Sequence, residues 1–352
     1  MAISTQDLAE LAKISLDEYL RNTPIDQIGT DRPLLKMLMK GRKQFLGAKQ
    51  NVVVGVRKDY GSNFSWAYGE TPVAFNKRNT TENATFPWRR AVDALYIDYD
   101  RLFGAGIKVR EGERGAYKLE QNEKVQLVNL IDEQMEVLRE GFFEKLDIEL
   151  HRSGTSSADA VVGMDALVAT NPAVGVVGGI DRATNAWWRN NALPQVDTAV
   201  KGTLLNAMEK QWRGCIAVGG GAPDFILAGE DFIDAYRNEL TITHNTNAGN
   251  YKTIDGGTGS GTSTGLFFKG VEILWDPKTV NLDVLETVGP GTPTWKKRCY
   301  MLNSKKLKLR DDSMDIVSPT RPHNVLAMYA MVNLRLALTI DKPNSMSVIG
   351  VK

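Results

Sequence analysis

QNEKVQLVNLIDEQMEVLREGFFEKLDIELHRSG, residues 121–154, carries the strongest helix signal in this chain. Its apolar side chains recur every three or four residues, at Leu127, Ile131, Met135, Leu138, Phe142, Leu146 and Leu150. That spacing places one apolar stripe along a helix, and Gly154 is a common type of residue at a helix end. We predict a helix over residues 121–152, about 45 Å long at about 1.5 Å per residue. A coiled coil is the weaker alternative because no heptad is sustained, so the helix is expected to be the spine of a flat or extended domain.

The C-terminal part of the chain has a different periodicity. Apolar residues occupy every second position, at Leu326, Met328, Ala330, Val332, Leu334, Leu336, Leu338 and Ile340. A period of two is typical of a strand, whose successive side chains point to opposite faces. We predict one very long strand over residues 324–340 with a single buried face.

Residues 51–100 are predicted to form a long hairpin. NVVVGV (51–56) is rich in β-branched residues, and WRRAVDALYIDYD (88–100) alternates as a second extended run. Residues 57–86 between them are rich in Gly, Asn, Thr and charge and show almost no apolar periodicity. A long structureless insertion is unusual inside a compact domain. We therefore predict that the hairpin projects from the body and finds its partners outside its own subunit.

The remaining segments alternate between helix and strand signals, which predicts an α+β fold. The expected elements are a helix over 200–214, a strand in DFILAG (224–229), a helix in EDFIDAYRNEL (230–240), a hairpin in LFFKGVEILW (266–275) that turns near Gly270, and a strand in RCYML (298–302). At the other end of the chain, Ser4 begins a helix-capping pattern and residues 30–45 are basic. Residues 1–50 are therefore predicted to be an arm that cannot form a core alone.

Composition excludes several classes of protein. The 352 residues include 43 basic and 42 acidic ones, for a net charge of +1, whereas a dedicated nucleic-acid binder normally has a basic surplus. No apolar run approaches the roughly 18–20 residues that span a bilayer. The start of the chain, MAISTQDLAELAK, has acids where a secretion signal would have basic and apolar residues. We expect a cytoplasmic chain in which Cys215 and Cys299 are reduced thiols.

Motifs that would carry a reaction are missing from the sequence. His151, His244 and His323 are isolated, and none has the spacing of a metal site. DGGTGSGTSTG (255–265) looks like a phosphate loop, but it contains neither nucleotide-binding motif and precedes a strand rather than a helix. A mobile surface loop is the better interpretation. The sequence predicts no catalytic residue, no cofactor and no metal.

GGIDRATNAWWRNN, residues 178–191, places two tryptophans side by side in a polar, glycine-rich segment. Adjacent residues diverge by about 100° on a helix and by about 180° on a strand, so Trp187 and Trp188 cannot form one flat stacking platform. Asp181 offsets the charges of Arg182 and Arg189, so a basic funnel for nucleic acid is missing too. We predict that each ring fills a different pocket, one inside the subunit and one at a neighbour.

The candidate structural or interface residues are therefore Asp181, Arg182, Trp187, Trp188 and Arg189, together with Trp88, Arg89 and Arg90 at the start of the second extended run.

The order of these parts resembles the major capsid proteins of tailed bacteriophages, whose fold was first seen in phage Hong Kong ninety-seven. Three segments carry the resemblance: VGVVGGIDRATNAWWRNN (174–191), PDFILAGEDFIDAY (223–236) and FFKGVEILWDP (267–277). The resemblance covers nearly the whole chain. No single motif is specific to the family, and the ordered set is what carries it.

This resemblance implies an N-terminal arm (1–50), an extended hairpin loop that overlaps a neighbouring subunit (51–115), a peripheral domain in two parts (116–175 and 304–352) and an axial domain (176–303). Residues 243–265 would form the tip of the axial domain. It also implies self-assembly into hexamers and pentamers of an icosahedral head, in a virion built in the host bacterial cytoplasm. The implied partners are further copies of the chain, scaffold, portal and decoration proteins, and packaged double-stranded DNA contacted non-specifically; no membrane is involved.

Two other classes of function stay open at this level. A nucleic-acid-binding protein would use the basic N-terminal arm and the tryptophans, and its DNA affinity would fall steeply with salt. An unrecognised cytoplasmic enzyme would need a pocket with strongly shifted carboxylate pKa values.

Overall fold

The structure is a computed structural model that describes residues 30–44, 50–70, 72, 75, 77–98, 100, 121–219, 221–244, 263–286, 288–312, 314–320 and 327–352. The α-helices are α1 (Pro33–Lys40), α2 (Gln121–His151), α3 (Met164–Leu167), α4 (Thr203–Ala217), α5 (Glu230–His244) and α6 (Lys278–Leu285). Short 3-10 turns lie at Ala186–Trp188, Trp295–Lys297 and Pro343–Ser345.

The strands occur throughout the described chain. They are β1 (Lys43–Gln44), β2 (Asn51–Arg57), β3 (Thr81–Pro87), β4 (Arg89–Asp98), β5 (Val176–Val177), β6 (Ile180–Asp181), β7 (Asn191–Val196), β8 (Phe225–Ala228), β9 (Ser263–Phe268), β10 (Val271–Trp275), β11 (Arg298–Leu302), β12 (Leu307–Asp311), β13 (Asp315–Thr320), β14 (Ala327–Ile340) and β15 (Ser347–Val351).

The chain divides into two compact units. The first unit comprises Met1–Thr30, Arg90–Leu146 and Ser313–Arg335, and the second comprises Asp31–Arg89, Asp147–Asp312 and Leu336–Lys352. In the first unit, β13 pairs antiparallel with the N-terminal part of β14, from Asp315 opposite Asn333 to Thr320 opposite Tyr329. Strand β4 also pairs with β14.

The second unit is built on a six-stranded sheet with the order β7-β15-β11-β8-β10-β9. Parallel pairs (β7 with β15, β8 with β10) and antiparallel pairs (β11 with β15 and with β8) occur in the same sheet. Helices α4 and α5 pack on this sheet through Leu204, Met208 and Phe232, which are all fully buried. The apolar stripes of the two helices, together with side chains from all six strands, form one hydrophobic core.

Helix α2 confirms the helix predicted over residues 121–152. It has 31 residues and ends at His151, one residue before the predicted end. Its described apolar stripe is buried at Leu138, Phe142, Leu146 and Leu150. Gly154 then turns the chain with a φ of +82°, and a Cβ there would lie 2.6 Å from the carbonyl oxygen of Val161. Only glycine fits that position without displacing backbone.

The long C-terminal strand is confirmed as β14, but its predicted single buried face is wrong at one end. Residues Leu336–Ile340 pair with β12, and all of them are buried, including Ala337 and Thr339 on the second face. The small side chain of Ala337 and the hydroxyl of Thr339, which donates to the Lys308 carbonyl oxygen at 3.1 Å, make that second face compatible with burial. The hairpin predicted at Gly270 is also confirmed: Lys269 and Gly270 both have positive φ between β9 and β10.

The strand that returns along β2 is not the predicted one. All seven residues of β2 pair antiparallel with β3, from Asn51 opposite Pro87 to Arg57 opposite Thr81. The run that begins at Trp88 forms β4 instead, which pairs with β14. The polar composition of β3 concealed it, because it buries only two apolar side chains, Ala84 and Phe86.

Several predictions concern parts of the chain that lie outside the described residues. These are the helix predicted near Ser4 and most of the N-terminal arm, residues 101–115 of the extended loop, the glycine-rich segment 255–262 and His323. The boundaries predicted for the peripheral and axial domains stay predictions. Among the described helices, none is both long enough and apolar enough to cross a bilayer.

Candidate interaction site

The Trp187–Trp188 segment begins with a two-residue hairpin in the second unit. Strands β5 and β6 are joined by Gly178 and Gly179, whose φ values of +61° and +78° suit the tightest type of hairpin turn. The turn lies against β3, since the Thr85 N–H donates to the Gly178 carbonyl oxygen at 2.8 Å. A Cβ on Gly178 would lie 3.0 Å from the Cβ of Ala84, so the contact requires glycine. The hairpin therefore docks on the ribbon formed by β2 and β3.

Trp188 and Trp187 have different environments. Trp188 is only 1% exposed, and its indole N–H donates to the Val177 carbonyl oxygen at 3.0 Å. Trp187 is half-buried, and its indole N–H donates to Oδ1 of Asn185 at 3.1 Å. The ring centroids are 5.5 Å apart with planes inclined at 55°, so the two rings form no flat platform, as predicted.

The charged residues of this segment are used in local structure. Arg189 donates from Nε and Nη2 to the carbonyl oxygens of Arg182 and Ala183, both at 2.6 Å. Arg182 is buried and donates to the Leu167 carbonyl oxygen, and burial lowers its pKa to about 10. The Asp181 carboxylate accepts from the Ala183 N–H at 2.9 Å. The predicted offset between Asp181 and the arginines is thus not a direct ion pair; each side chain bonds mainly to nearby backbone.

Two asparagines that the sequence analysis did not single out fix the end of this segment. Asn190 donates to the Ala169 carbonyl oxygen at 2.9 Å and accepts from its N–H at 3.2 Å. Asn191 donates to the Asn344 carbonyl oxygen at 2.8 Å, while the Asn344 side chain donates to the Trp187 carbonyl oxygen at 3.3 Å. Their position directly after Trp-Trp-Arg is the sequence feature that could have identified both asparagines. Their hydrogen-bond partners, however, are distant in the sequence.

A cleft of about 580 Å³ opens beside the two tryptophans, within the second unit; we call it the Trp cleft. Its walls are the end of β2 and the residues after it (55–60), Trp187 and Trp188, Val218 after α4, and residues 341–344 after β14. Trp187, Val218 and Pro343 supply apolar surface, and Arg57 and Lys342 supply positive charge. Lys342 donates to the Val218 carbonyl oxygen, which ties two of the walls together.

The other predicted candidates lie elsewhere. Trp88 is half-buried, and Arg89 forms an ion pair with the exposed Asp159 at 3.1 Å. Neither belongs to the described lining of the Trp cleft. Arg90 is exposed and belongs to the first unit. The structure therefore brings together the five candidates of residues 181–189 but not the three at 88–90.

Exposed aromatic side chains between β2 and β3 are the feature that the sequence analysis missed. We call residues 58–80 the aromatic loop. Its large side chains are exposed by 76% at Tyr60 and Phe64, 90% at Trp66, 96% at Tyr68 and 92% at Phe75. Aromatic residues at every second position (64, 66, 68) were the available signal, although the surrounding composition is polar. Several large apolar side chains exposed in one loop are typical of a site of protein–protein contact.

A buried charged cluster lies at the end of α2, apart from the Trp cleft. His151 is 1% exposed; its Nε2 lies 2.5 Å from Oδ2 of Asp276, and its Nδ1 lies 2.7 Å from the Asp147 carbonyl oxygen. Burial alone would lower the pKa of His151, but the carboxylates of Asp276 and Asp147 together raise it to about 9. Burial raises the pKa of Asp147, against the lowering effect of His151 and Lys278.

The cluster is best interpreted as structural. Both imidazole nitrogens of His151 face oxygen atoms, an arrangement that favours the doubly protonated imidazolium, and the ring bonds α2 to the residues after β10. In the parts of the chain that the structure describes, no three metal-ligating side chains group together as a metal site.

Known proteins were compared with the chain at the levels of sequence and structure. No protein-family model matches the sequence, and no curated protein matches it significantly. Solved structures do match. The capsid asymmetric unit of cyanophage A-1(L) superposes with a TM-score of 0.62 at 15% identity, covering 96% of this chain and 98% of that one.

Two further structures give the same result. The capsid of Myoviridae phage XM1 has a TM-score of 0.53 at 14% identity over 96% of this chain and 98% of that one. A structure of Mycobacterium phage Ogopogo has a TM-score of 0.55 at 9% identity over the full length of both chains. The chain therefore has the fold of phage capsid proteins, and the resemblance predicted from the sequence is confirmed at the level of the fold.

Proposed function

We propose that this protein is the major structural subunit of a bacteriophage head. In this proposal the chain assembles into hexamers and pentamers, which build an icosahedral shell around the phage genome. The fold supports a role in a shell, and the aromatic loop is the observation that carries self-association. Five large aromatic side chains exposed to water on a single subunit favour burial against another molecule.

The organisation into domains is part of the same proposal. Residues 1–50 would be the arm, 51–115 the extended loop, 116–175 with 304–352 the peripheral domain, and 176–303 the axial domain. The pairing of β2 with β3 supports an extended loop, because the ribbon positions the aromatic loop at its end. Five strands of the six-stranded sheet, with α4 and α5, supply a core for the proposed axial domain, and the sixth strand, β15, comes from the segment 304–352.

Further partners are proposed on the same basis. A scaffold, a portal and decoration proteins would join the shell, and packaged double-stranded DNA would contact its inner surface without sequence specificity. The net charge of +1 fits weak contact with DNA better than dedicated binding. The use of Arg182 and Arg189 in local hydrogen bonds weighs against a stacking site for nucleic acid at the tryptophans.

Electron microscopy and light scattering of the purified chain test the proposal, with the protein expressed alone and together with a scaffolding protein. We expect closed shells, capsomer rings or sheets. A strictly monomeric species at every salt and protein concentration, with scaffold supplied, would contradict it.

A further inference from the structure

Two basic segments of the second unit meet at one edge of a sheet. Strand β1 comes first in the order β1-β12-β14-β13 and pairs parallel with β12, with Lys43 opposite Arg310. Gly41, directly after α1, lies beside the turn that precedes β12, since a Cβ there would be 3.8 Å from the Ser304 carbonyl oxygen. These contacts bring residues 40–43 together with residues 304–312.

The two segments carry a local surplus of positive charge. They contain seven basic and two acidic residues, in a chain whose net charge is only +1. Arg42 lies 3.5 Å from the carboxylate of Asp311, and Lys308 lies 2.9 Å from that of Asp341. Within the part of the chain that the structure describes, the other five basic residues form no ion pair. We call these five residues the basic edge: Lys40, Lys43, Lys305, Lys306 and Arg310.

Four carboxylates belong to the two segments or bond to them, and three of these have partners outside the basic edge. Asp311 pairs with Arg42, and Asp341 pairs with Lys308. Asp224 accepts hydrogen bonds from the N–H and the hydroxyl of Ser304, at 2.7 and 2.5 Å. The fourth carboxylate, Asp312, is half-buried. The positive charge of the basic edge is therefore only partly balanced within the subunit.

The exposure of the basic edge makes its charge available to a partner. Lys40, Lys43 and Lys305 are exposed, and Lys306 and Arg310 are half-buried. Lys43 and Arg310 are like charges on directly paired strands, which is an unfavourable arrangement that a bound anion would relieve. The basic edge thus favours a partner with several negative charges.

The surroundings of the basic edge favour duplex DNA over other polyanions. In the described residues of the two segments no large apolar side chain is exposed, whereas the centre of a protein–protein interface is apolar and poor in lysine. Neither segment contains a Phe, Tyr or Trp on which the bases of a single strand could stack. Lysine and arginine contacts to phosphate give affinity without reading the sequence.

We propose that the basic edge binds the phosphate backbone of duplex DNA without sequence preference. The inference rests on the proposed function for the source of the DNA, which is the packaged genome, and it places the basic edge on the inner face of the shell. A nearly neutral chain then concentrates its positive charge at the surface that meets the polyanion.

Fluorescence anisotropy of the full-length chain with a short labelled duplex tests this surface. Each phosphate contact contributes about −0.9 to the slope of log K against log salt concentration. A quadruple variant carries Lys40→Gln, Lys43→Gln, Lys305→Gln and Lys306→Gln. We expect it to bind more weakly than the wild type, equally so for two unrelated duplex sequences, with a slope shallower by about 3.6.

Paired variants separate the basic edge from net charge. Lys305→Gln with Lys306→Gln should make the slope shallower by about 1.8, and so should Lys40→Gln with Lys43→Gln, so the test does not depend on the folding of one variant. The matched control is Lys201→Gln with Lys210→Gln, which removes two exposed lysines at α4 and should leave the slope unchanged.

A charge-conserving variant separates charge from structure. Lys305→Arg with Lys306→Arg should keep the wild-type slope. Equal changes of slope in the control pair and in the two pairs of the basic edge would overturn the inference, as would a wild-type chain that does not bind the duplex at about 50 mM salt. Displacement of the duplex by poly-glutamate at equal concentration of charge would assign the surface to an acidic protein instead, and would also overturn the inference.

Electron microscopy of the same preparations distinguishes this inference from the proposed function. Wild-type shells together with an unchanged DNA affinity in the quadruple variant would overturn the inference and leave the proposed function intact. A wild-type chain that forms no assemblies, but whose DNA affinity depends on the basic edge, would contradict the proposed function and leave the binding surface established.

Discussion

At the scale of single residues, the two adjacent tryptophans are divided between the subunit and its surface. Trp188 is enclosed and hydrogen-bonded to Val177, whereas Trp187 faces the Trp cleft and is braced by Asn185 and Asn344. The backbone turn at Ala186–Trp188 directs the two rings away from a common plane. Two adjacent tryptophans in one short turn therefore have different roles: Trp188 packs inside the subunit, and Trp187 forms part of its surface.

Replacement of each tryptophan by alanine should distinguish a role in subunit stability from a role in assembly. We expect Trp188→Ala to lower the free energy of unfolding by about 3–5 kcal/mol, because a fully buried indole is lost. That is a large share of the roughly 5–15 kcal/mol available to a domain. Trp187→Ala should cost the subunit less and reduce assembly yield more. Chemical denaturation and light scattering check both effects.

The Trp187→Phe variant is the control for that experiment, since it keeps an aromatic ring in the cleft and should retain most of the assembly. Equal losses of subunit stability in Trp187→Ala and Trp188→Ala would contradict the different roles assigned to the two tryptophans. Normal stability and assembly with a loss of DNA affinity would show that the tryptophans stack on bases.

His151 gives a pH dependence whose sign follows from its surroundings. Asp147 on its own helix and Asp276 after β10 face the ring, and Lys278 acts on Asp147. The pKa of His151 is raised from 6.5 to about 9 in the fold, so its contribution is fully present below pH 6.5 and is lost as the pH rises through about 9. The raised pKa of Asp147 also favours the fold at lower pH.

We therefore expect the free energy of unfolding to fall between pH 6.5 and 9 by up to about 3 kcal/mol. His151→Gln should be less stable at neutral pH and should lose most of this alkaline slope. Denaturant melts of both proteins across that range provide the measurement. An identical slope in the variant would assign the effect to other groups.

At the scale of elements, the hairpin of β5 and β6 connects the tryptophan segment to β3. The contact involves Gly178, whose positive φ and closeness to Ala84 both disfavour a side chain. Since β3 pairs along its whole length with β2, the position of the hairpin also affects the ribbon that ends in the aromatic loop.

Gly178→Ala should destabilise this docking, with Gly175→Ala as a matched control. Both glycines have positive φ, +61° and +94°, but a Cβ at Gly175 would meet nothing within 4 Å. Both variants should lose about 1 kcal/mol from backbone strain. Gly178→Ala should lose more, because its Cβ would press on Ala84 and Phe86. Thermal melts measure the difference, and equal losses would show that the hairpin contact contributes little.

At the scale of the whole molecule, the aromatic loop is the part that serves assembly rather than the subunit. A deletion of residues 61–85 would remove most of β3 and expose Val56, because it takes away the strand that pairs with β2. A shorter deletion of residues 62–77 removes most of the aromatic loop and leaves both strands of the ribbon in place. Gly61 and Arg78 are close enough for an Asn-Gly turn to connect them.

The variant with residues 62–77 replaced by Asn-Gly should fold with unchanged helical circular dichroism and form no shells. A strand ribbon closed by a two-residue turn keeps the pairing of β2 with β3, while the aromatic side chains at 64, 66, 68 and 75 are removed. Sedimentation and microscopy compare it with the wild type. Shells at wild-type yield would show that the loop makes no contact that assembly needs.

The sequence by itself determined the elements whose periodicity reports burial directly. Helix α2 followed from apolar spacing of three or four residues, and β14 from alternation, because each pattern matches one backbone repeat. The hairpin at Gly270 followed from a local turn. These features depend on residues close together in the chain.

Only the tertiary structure decided which segments meet. The pairing of β2 with β3 depends on two buried side chains in a polar strand, and the second buried face of β14 depends on β12 and its neighbours. The Trp cleft is formed by four segments between residues 55 and 344. Burial of this kind is set by contacts between distant parts of the chain, and a local pattern of apolar residues contains no record of those contacts.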